Sequence, residues 1–111
     1  MADILIVTTP TIEGYKIVRI LGTVHGLTVR TRGLWGKFVA GIESMVGGEV
    51  TAFTTECEKA KIESMQRLKE NAGKMGANAI VRTDFETSDI FAGAAVVFSA
   101  YGTAVVVEPI K

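Results

Sequence analysis

The stretch AAVVFSAYGTAVVV, Ala94 to Val107, limits the fold more than any other part of the chain. Side chains of a strand alternate between its two faces, so a run that is apolar at both odd and even positions needs cover on both sides. YKIVRILGTV, Tyr15 to Val24, repeats the pattern. A chain of 111 residues makes one domain with a modest core, and only two of its segments have helical periodicity to serve as cover. Small domains seldom leave wide apolar patches in water, so the surplus calls for a second copy of the same chain. Charge does not oppose this, because 12 Lys and Arg offset 12 Asp and Glu.

The same balance argues against a nucleic-acid partner, which needs a basic surplus to displace counterions from phosphates. A single cysteine, Cys57, excludes an internal disulfide framework and fits a reducing compartment. MADILIV lacks the basic start of a secretion signal, and no apolar run reaches the roughly 18 residues of a membrane span. The expectation is a cytoplasmic protein with no membrane span.

ILIVTT (Ile4 to Thr9) is a short β-branched strand ended by Pro10. YKIVRILGTV and LTVRTR read as a hairpin turning at His25-Gly26. In LWGKFVAGIESMV, residues Leu34, Trp35, Phe38, Val39, Ile42, Met45 and Val46 recur as on one helix face, and Gly47-Gly48 closes it. A longer helix follows from about Val50 to Met75. Its stripe is Phe53, Cys57, Ala60, Ser64, Leu68, Ala72 and Met75, with Met65 at the margin, and Gly76 is its stop. AIVRTDFE is a strand, SDIFAG a loop, and the last strand carries Gly102 as a bend or bulge. The sum is one α+β domain over residues 1–111. It is a two-layer sandwich of an antiparallel or mixed sheet of four or five strands with one long and one shorter helix.

Chemistry is sparse. Arg82, Asp84 and Glu86 alternate along AIVRTDFE and read as the wet face of a strand or a subunit rim, since carboxylates side by side rarely work as an acid–base pair. Metal sites want three or four ligands, and one chain offers Cys57 and His25 without CxxC or HxxxH spacing. Cys57 lies in the apolar stripe, where a thiol acts as a small hydrophobe, and His25 belongs to the expected turn. Gly47-Gly48 lacks any phosphate-loop pattern. Arg30, Arg32 and Lys37 around Trp35 make too small a basic patch for nucleic acid, and Trp35 reads better as an anchor in a core or interface. Ser99, Tyr101 and Thr103 share a strand face without an evident base, so no catalytic residue is assigned. Ile62 points away from the helix stripe, and with Trp35 and Tyr101 it is a candidate for contact between subunits.

Four segments together resemble the YbjQ-like family of small bacterial and archaeal proteins: TTPTIEG (Thr8 to Gly14), SMVGGE (Ser44 to Glu49), MGANAIV (Met75 to Val81) and AYGTAVVV (Ala100 to Val107). Two positions depart from the pattern, Val97 where relatives often carry an acid and Arg82 where many have a small or apolar residue. The resemblance implies a ring-like homopentamer that can pair into a decamer, and it brings a heavy-metal-binding label. The leading reading is a non-catalytic homo-oligomeric binding or scaffold protein needing no cofactor. Behind it stand a soft-metal or chalcogen binder using Cys57 thiols gathered by ring symmetry, and an enzyme with an intersubunit site.

Overall fold

The computed structural model describes residues 3–31, 49–90 and 95–111. The expected shorter helix, with Trp35 and the Gly47-Gly48 stop, lies outside these residues. Within them the chain is α+β: strand β1 (Leu5–Ile6), strand β2 (Tyr15–Thr31), helix α1 (Glu49–Lys74), strand β3 (Ala79–Ile90) and strand β4 (Ala95–Pro109). The four strands form one mixed sheet in the order β1-β3-β4-β2. β1 runs parallel to β3, whereas β4 is antiparallel to both β3 and β2.

Helix α1 covers one face of the sheet. Ala60, Ser64, Leu68 and Ala72 from the expected stripe are all fully buried there. Leu68 and Ala72 form the core with Val24 of β2, Ile80 of β3, and Ala100 and Ala104 of β4. Burying a leucine or isoleucine side chain contributes about 1.5–3 kcal/mol, so Leu68 and Ile80 are its largest single stabilisers. On the opposite face a smaller cluster, Ala79, Val81, Val105 and Val107, is closed by Val7 and Ile12 of the N-terminal segment.

Two sequence expectations are corrected. His25-Gly26 is not a turn: β2 runs unbroken for 17 residues, and the two expected hairpin strands are one. Gly26 is there because the helix backbone passes directly over it, a close approach that local sequence does not distinguish from a turn. SDIFAG is likewise not all loop, since Ser88, Asp89 and Ile90 continue β3 and pair with Val97, Val96 and Ala95.

The alternation of AIVRTDFE is interrupted. Between Val81 and Asp84 the β3–β4 register slips, and Arg82 takes a left-handed φ of +50°. This is a β-bulge, two residues of β3 facing Gly102 of β4. Val81 therefore points away from the helix with Thr103, while Thr83 and Phe85 point toward it. The bulge belongs to β3, and Gly102 marks where it crosses β4.

Helix α1 ends as expected, at a left-handed Gly76 with φ +90°. Ala77 N–H donates to Ala72 O at 3.1 Å and Gly76 N–H to Gly73 O at 3.0 Å, the paired bonds of a Schellman cap. Asn78 then joins helix to sheet: its side chain donates to Val107 O at 2.9 Å and accepts from Val107 N–H at 2.8 Å. A β-carbon on Gly76 would meet nothing within 4 Å, so Gly76→Ala tests backbone conformation alone. The expected loss is about 1 kcal/mol, read as a lower urea midpoint at unchanged m-value.

Candidate functional site

The face of the sheet turned away from α1 is built by β2, β4 and β3 in cross-strand rows. His25, Tyr101 and Asp84 are register partners across the three strands, and Leu27, Ser99 and Glu86 form the next row. The rings of His25 and Tyr101 stack with centroids 6.1 Å apart. The Tyr101 hydroxyl donates to Asp84 Oδ2 at 3.4 Å, and Phe85 N–H donates to Asp84 Oδ1 at 2.8 Å. The Asp84 carboxylate, burial, and then Glu86 push the Tyr101 phenol above its usual pKa.

Arg82, Asp84 and Glu86 are exposed, as the wet-face reading expects. No described residue forms an ion pair with either acid. His25 lies beside the Ser99–Tyr101–Thr103 strand face, a neighbour the sequence did not reveal because 76 residues separate His25 from Tyr101 (101 − 25). It stacks on a ring, and among the described residues no hydrogen bond joins its side chain to any of the three hydroxyls of that face. Among the described residues of this face, no serine or threonine hydroxyl is hydrogen-bonded to His25 as a nucleophile to its base.

Around these rows the face is apolar and open. Ile20 is 69% exposed, Leu27 48% and Val29 49%. On the opposite side of the molecule Ile62, 68% exposed, stands with Ile6 and Met65 over a shallow groove between α1 and β1. Of the three subunit-contact candidates, Ile62 and Tyr101 thus lie on different sides of the chain, and Trp35 is outside the described residues.

The metal label finds no ligand set here. Among the described residues no three His, Cys, Asp or Glu side chains are grouped closely enough to hold an ion. Cys57 is half-buried on α1, while His25 is on the sheet face that α1 does not cover.

One polar cluster was only half legible. The Glu63–Arg67 pair has helical spacing and closes at 2.9 Å. From β2, the Thr28 hydroxyl also donates to Glu63, and the Arg30 guanidinium lies 3.5 Å from it. These contacts, the Thr28 hydrogen bond first, hold the Glu63 carboxyl below the usual glutamate pKa. A folded-state pKa below the unfolded one adds stability above the unfolded value of about 4.3 and loses it as pH falls through the folded value. In Glu63→Gln, stability should therefore fall slightly near neutrality and converge on that of the unmodified chain as pH drops well below about 4.5, which makes the acid limb of the stability–pH curve shallower. An unchanged acid limb would show that the cluster does not form in solution.

The family model described as "Putative heavy-metal-binding" matches residues 4–108. A UPF0145 protein of Picrophilus torridus is 45% identical over 111 residues, covering 100% of this chain and 93% of the relative. One from Bradyrhizobium is 43% identical over 109 residues, covering 98% and 97%. A crystal structure of a DUF74-family protein from Pediococcus pentosaceus superposes with a TM-score of 0.61 at 18% identity, over 95% of this chain and 98% of that one, and so shares the fold.

Proposed function

The chain belongs to the YbjQ family, and on that premise we propose that it is a non-catalytic homo-oligomer, a pentameric binding or scaffold protein. The observation that carries this reading is the open sheet face, where Ile20, Leu27 and Val29 stand in water in a single copy. Exposed apolar residues grouped in this way mark a surface made to be covered, and a second copy is the economical cover. Ile62, on the other side of the chain, supplies a further apolar point of contact. The copy number rests on the family resemblance alone. Catalysis has no part in the reading because Asp84 and Glu86 stand side by side on an open face, without a nucleophile–base pair among the described residues. Metal binding, as the family description has it, would need ligands beyond the described residues of one chain, among which Cys57 and His25 are on opposite sides of the sheet.

Light scattering at micromolar protein should give a multiple of the 11.9 kDa chain mass, and a clean 11.9 kDa species would refute the assembly. Leu27→Glu and Ile62→Glu separate the two apolar surfaces. Both side chains are exposed in one copy, so each variant should fold. Whichever surface is buried in the assembly should lose several kcal/mol of association free energy on receiving an unpaired carboxylate.

A further inference from the structure

The bulge in β3 decides which way two carboxylates point. Val81 shares the face turned away from α1 with Thr103 of β4. Unbroken alternation from Val81 would put Asp84 and Glu86 on the α1 side. The extra residue at Arg82, held at a φ of +50°, shifts them instead to the open face, beside Tyr101 and Ser99. A non-glycine residue in the left-handed region is strained, and a bulge of this kind re-aims the side chains that follow it.

Both acids are exposed, and neither has an ion-pair partner among the described residues. Two residues apart on one strand, they are about 6.5–7 Å apart at Cα. Tyr101 lies across from Asp84, and His25 stacks on one side of its ring, so the ring face left open is the one toward β3. The open-face positions of β2 from Thr23 to Val29, and of β4 from Val97 to Thr103, carry no Lys or Arg to answer the acids. Two separate negative charges beside an aromatic face suit a cation with two heads. A single metal ion would have to draw both carboxylates to within about 5 Å of each other. Among the described residues no third His, Cys, Asp or Glu completes such a set. A linear diamine needs no such rearrangement, because four methylenes set its nitrogens about 6 Å apart at ordinary bond lengths. Both nitrogens are charged near neutral pH, as a lysine amine is, and an ammonium is attracted by the face of a tyrosine ring as well as by a carboxylate. An extended peptide with alternate lysines carries the same charges. A sheet face, however, gives it none of the backbone hydrogen bonds that strand addition draws from an edge.

We propose that Asp84, Glu86 and Tyr101 bind a linear aliphatic diamine or polyamine, one ammonium on each carboxylate and the methylene chain against the Tyr101 ring. The proposal rests on the reading of the chain as a binding protein and names the class of its ligand. It leaves the apolar margin of the face to assembly. Ile20, Leu27 and Val29 are on β2, two strand spacings or about 10 Å from the strand that carries the acids.

The test is calorimetric titration of the full chain with putrescine, the four-carbon diamine, and with butylamine, its single-headed analogue, alongside light scattering. Putrescine should bind once per chain and about tenfold tighter than butylamine, because its second ammonium is delivered by the first. Asp84→Asn and Glu86→Gln, both at exposed positions, should each bring putrescine down to the affinity of butylamine. Tyr101→Leu should weaken it about fivefold, whereas Tyr101→Phe, which keeps the ring, should bind as the unmodified chain does. The proposal is overturned if putrescine shows no saturable binding, or if putrescine and butylamine bind alike. It is equally overturned if the chain carrying both Asp84→Asn and Glu86→Gln binds putrescine undiminished, since the amine then sits elsewhere. Light scattering separates this failure from that of the assembly. Full mass without putrescine binding removes the site and leaves the homo-oligomer, and an 11.9 kDa chain that binds putrescine keeps the site and removes the homo-oligomer.

Discussion

Gly26→Ala should destabilise the chain by about 3 kcal/mol or more, the largest effect expected of any single methyl group added to it. A β-carbon at this position would lie 2.0 Å from Ser64 O, 2.3 Å from Leu68 N and 2.9 Å from Leu68 Cα. All three atoms are helix backbone, so no side-chain rotation relieves the overlap. The helix would have to lift from the sheet by more than an ångström, on the order of the shortfall from ordinary contact. Lifting would open the fully buried contacts of Ala60, Ser64, Leu68 and Ala72 together. It would also break the bonds that Asn71 and Arg67 make to His25 O and Leu27 O. Urea unfolding of the variant measures the loss, and a midpoint within 0.5 kcal/mol of the unmodified chain would show that the helix does not seat on Gly26.

Gly26 also shows where sequence reading stops. The helix stripe was legible from spacing alone, because Ala60, Ser64, Leu68 and Ala72 repeat at four-residue steps and all four are buried. The Gly76 stop was legible because one residue type suits the left-handed end of a helix. Gly26 gave the opposite impression. A glycine after His25 signals a turn by local rules, and what selects it here is a helix 38 residues further on (64 − 26). The bulge at Arg82 was hidden for a related reason. Its left-handed conformation is held by Thr9 and by the β4 strand, neither of them near in sequence, and arginine is not a residue that announces such a geometry.

The candidate site was legible in composition and not in arrangement. Arg82, Asp84 and Glu86 are all exposed as read, but only the two acids keep the alternation, because Arg82 is at the bulge. The bulge, however, moves Val81 onto the same face as the two acids, so that polar rows and an apolar margin share one surface. Strand order brings His25 beside Tyr101 and Tyr101 beside Asp84, and no spacing within the chain encodes that order. Apolar residues at both odd and even positions of β2 foretold an uncovered surface. They could not say that Asn71 and Arg67 of the helix reach over to the His25 and Leu27 carbonyls of that strand.

The crossing of β4 beneath that bulge yields the second large effect, an expected loss of about 2 kcal/mol or more in Gly102→Ala. Gly102 is buried opposite Val24, and a β-carbon there would come within 2.7 Å of Ile80 Cγ2, 3.0 Å of Val81 O and 3.1 Å of Thr83 Oγ1. The neighbours cannot all yield. Ile80 is fully buried in the core and has no open space to turn into. Val81 O is backbone within the β3–β4 ladder, immediately before the bulge. Thr83 is 6% exposed, and its hydroxyl has no hydrogen-bond partner among the described residues, so a shift there would move a polar group through the core. Strain relieved by straightening the bulge would move Asp84 and Glu86 out of line with Tyr101 and Ser99. Gly102→Ala should therefore lower the urea midpoint and also bring the Tyr101 phenol back toward its ordinary pKa, as the Asp84 carboxylate moves away. A stability loss without the change in phenol titration would mean that Ile80 repacks while the bulge keeps its shape. No loss of stability at all would mean that β3 does not press on β4 at this crossing.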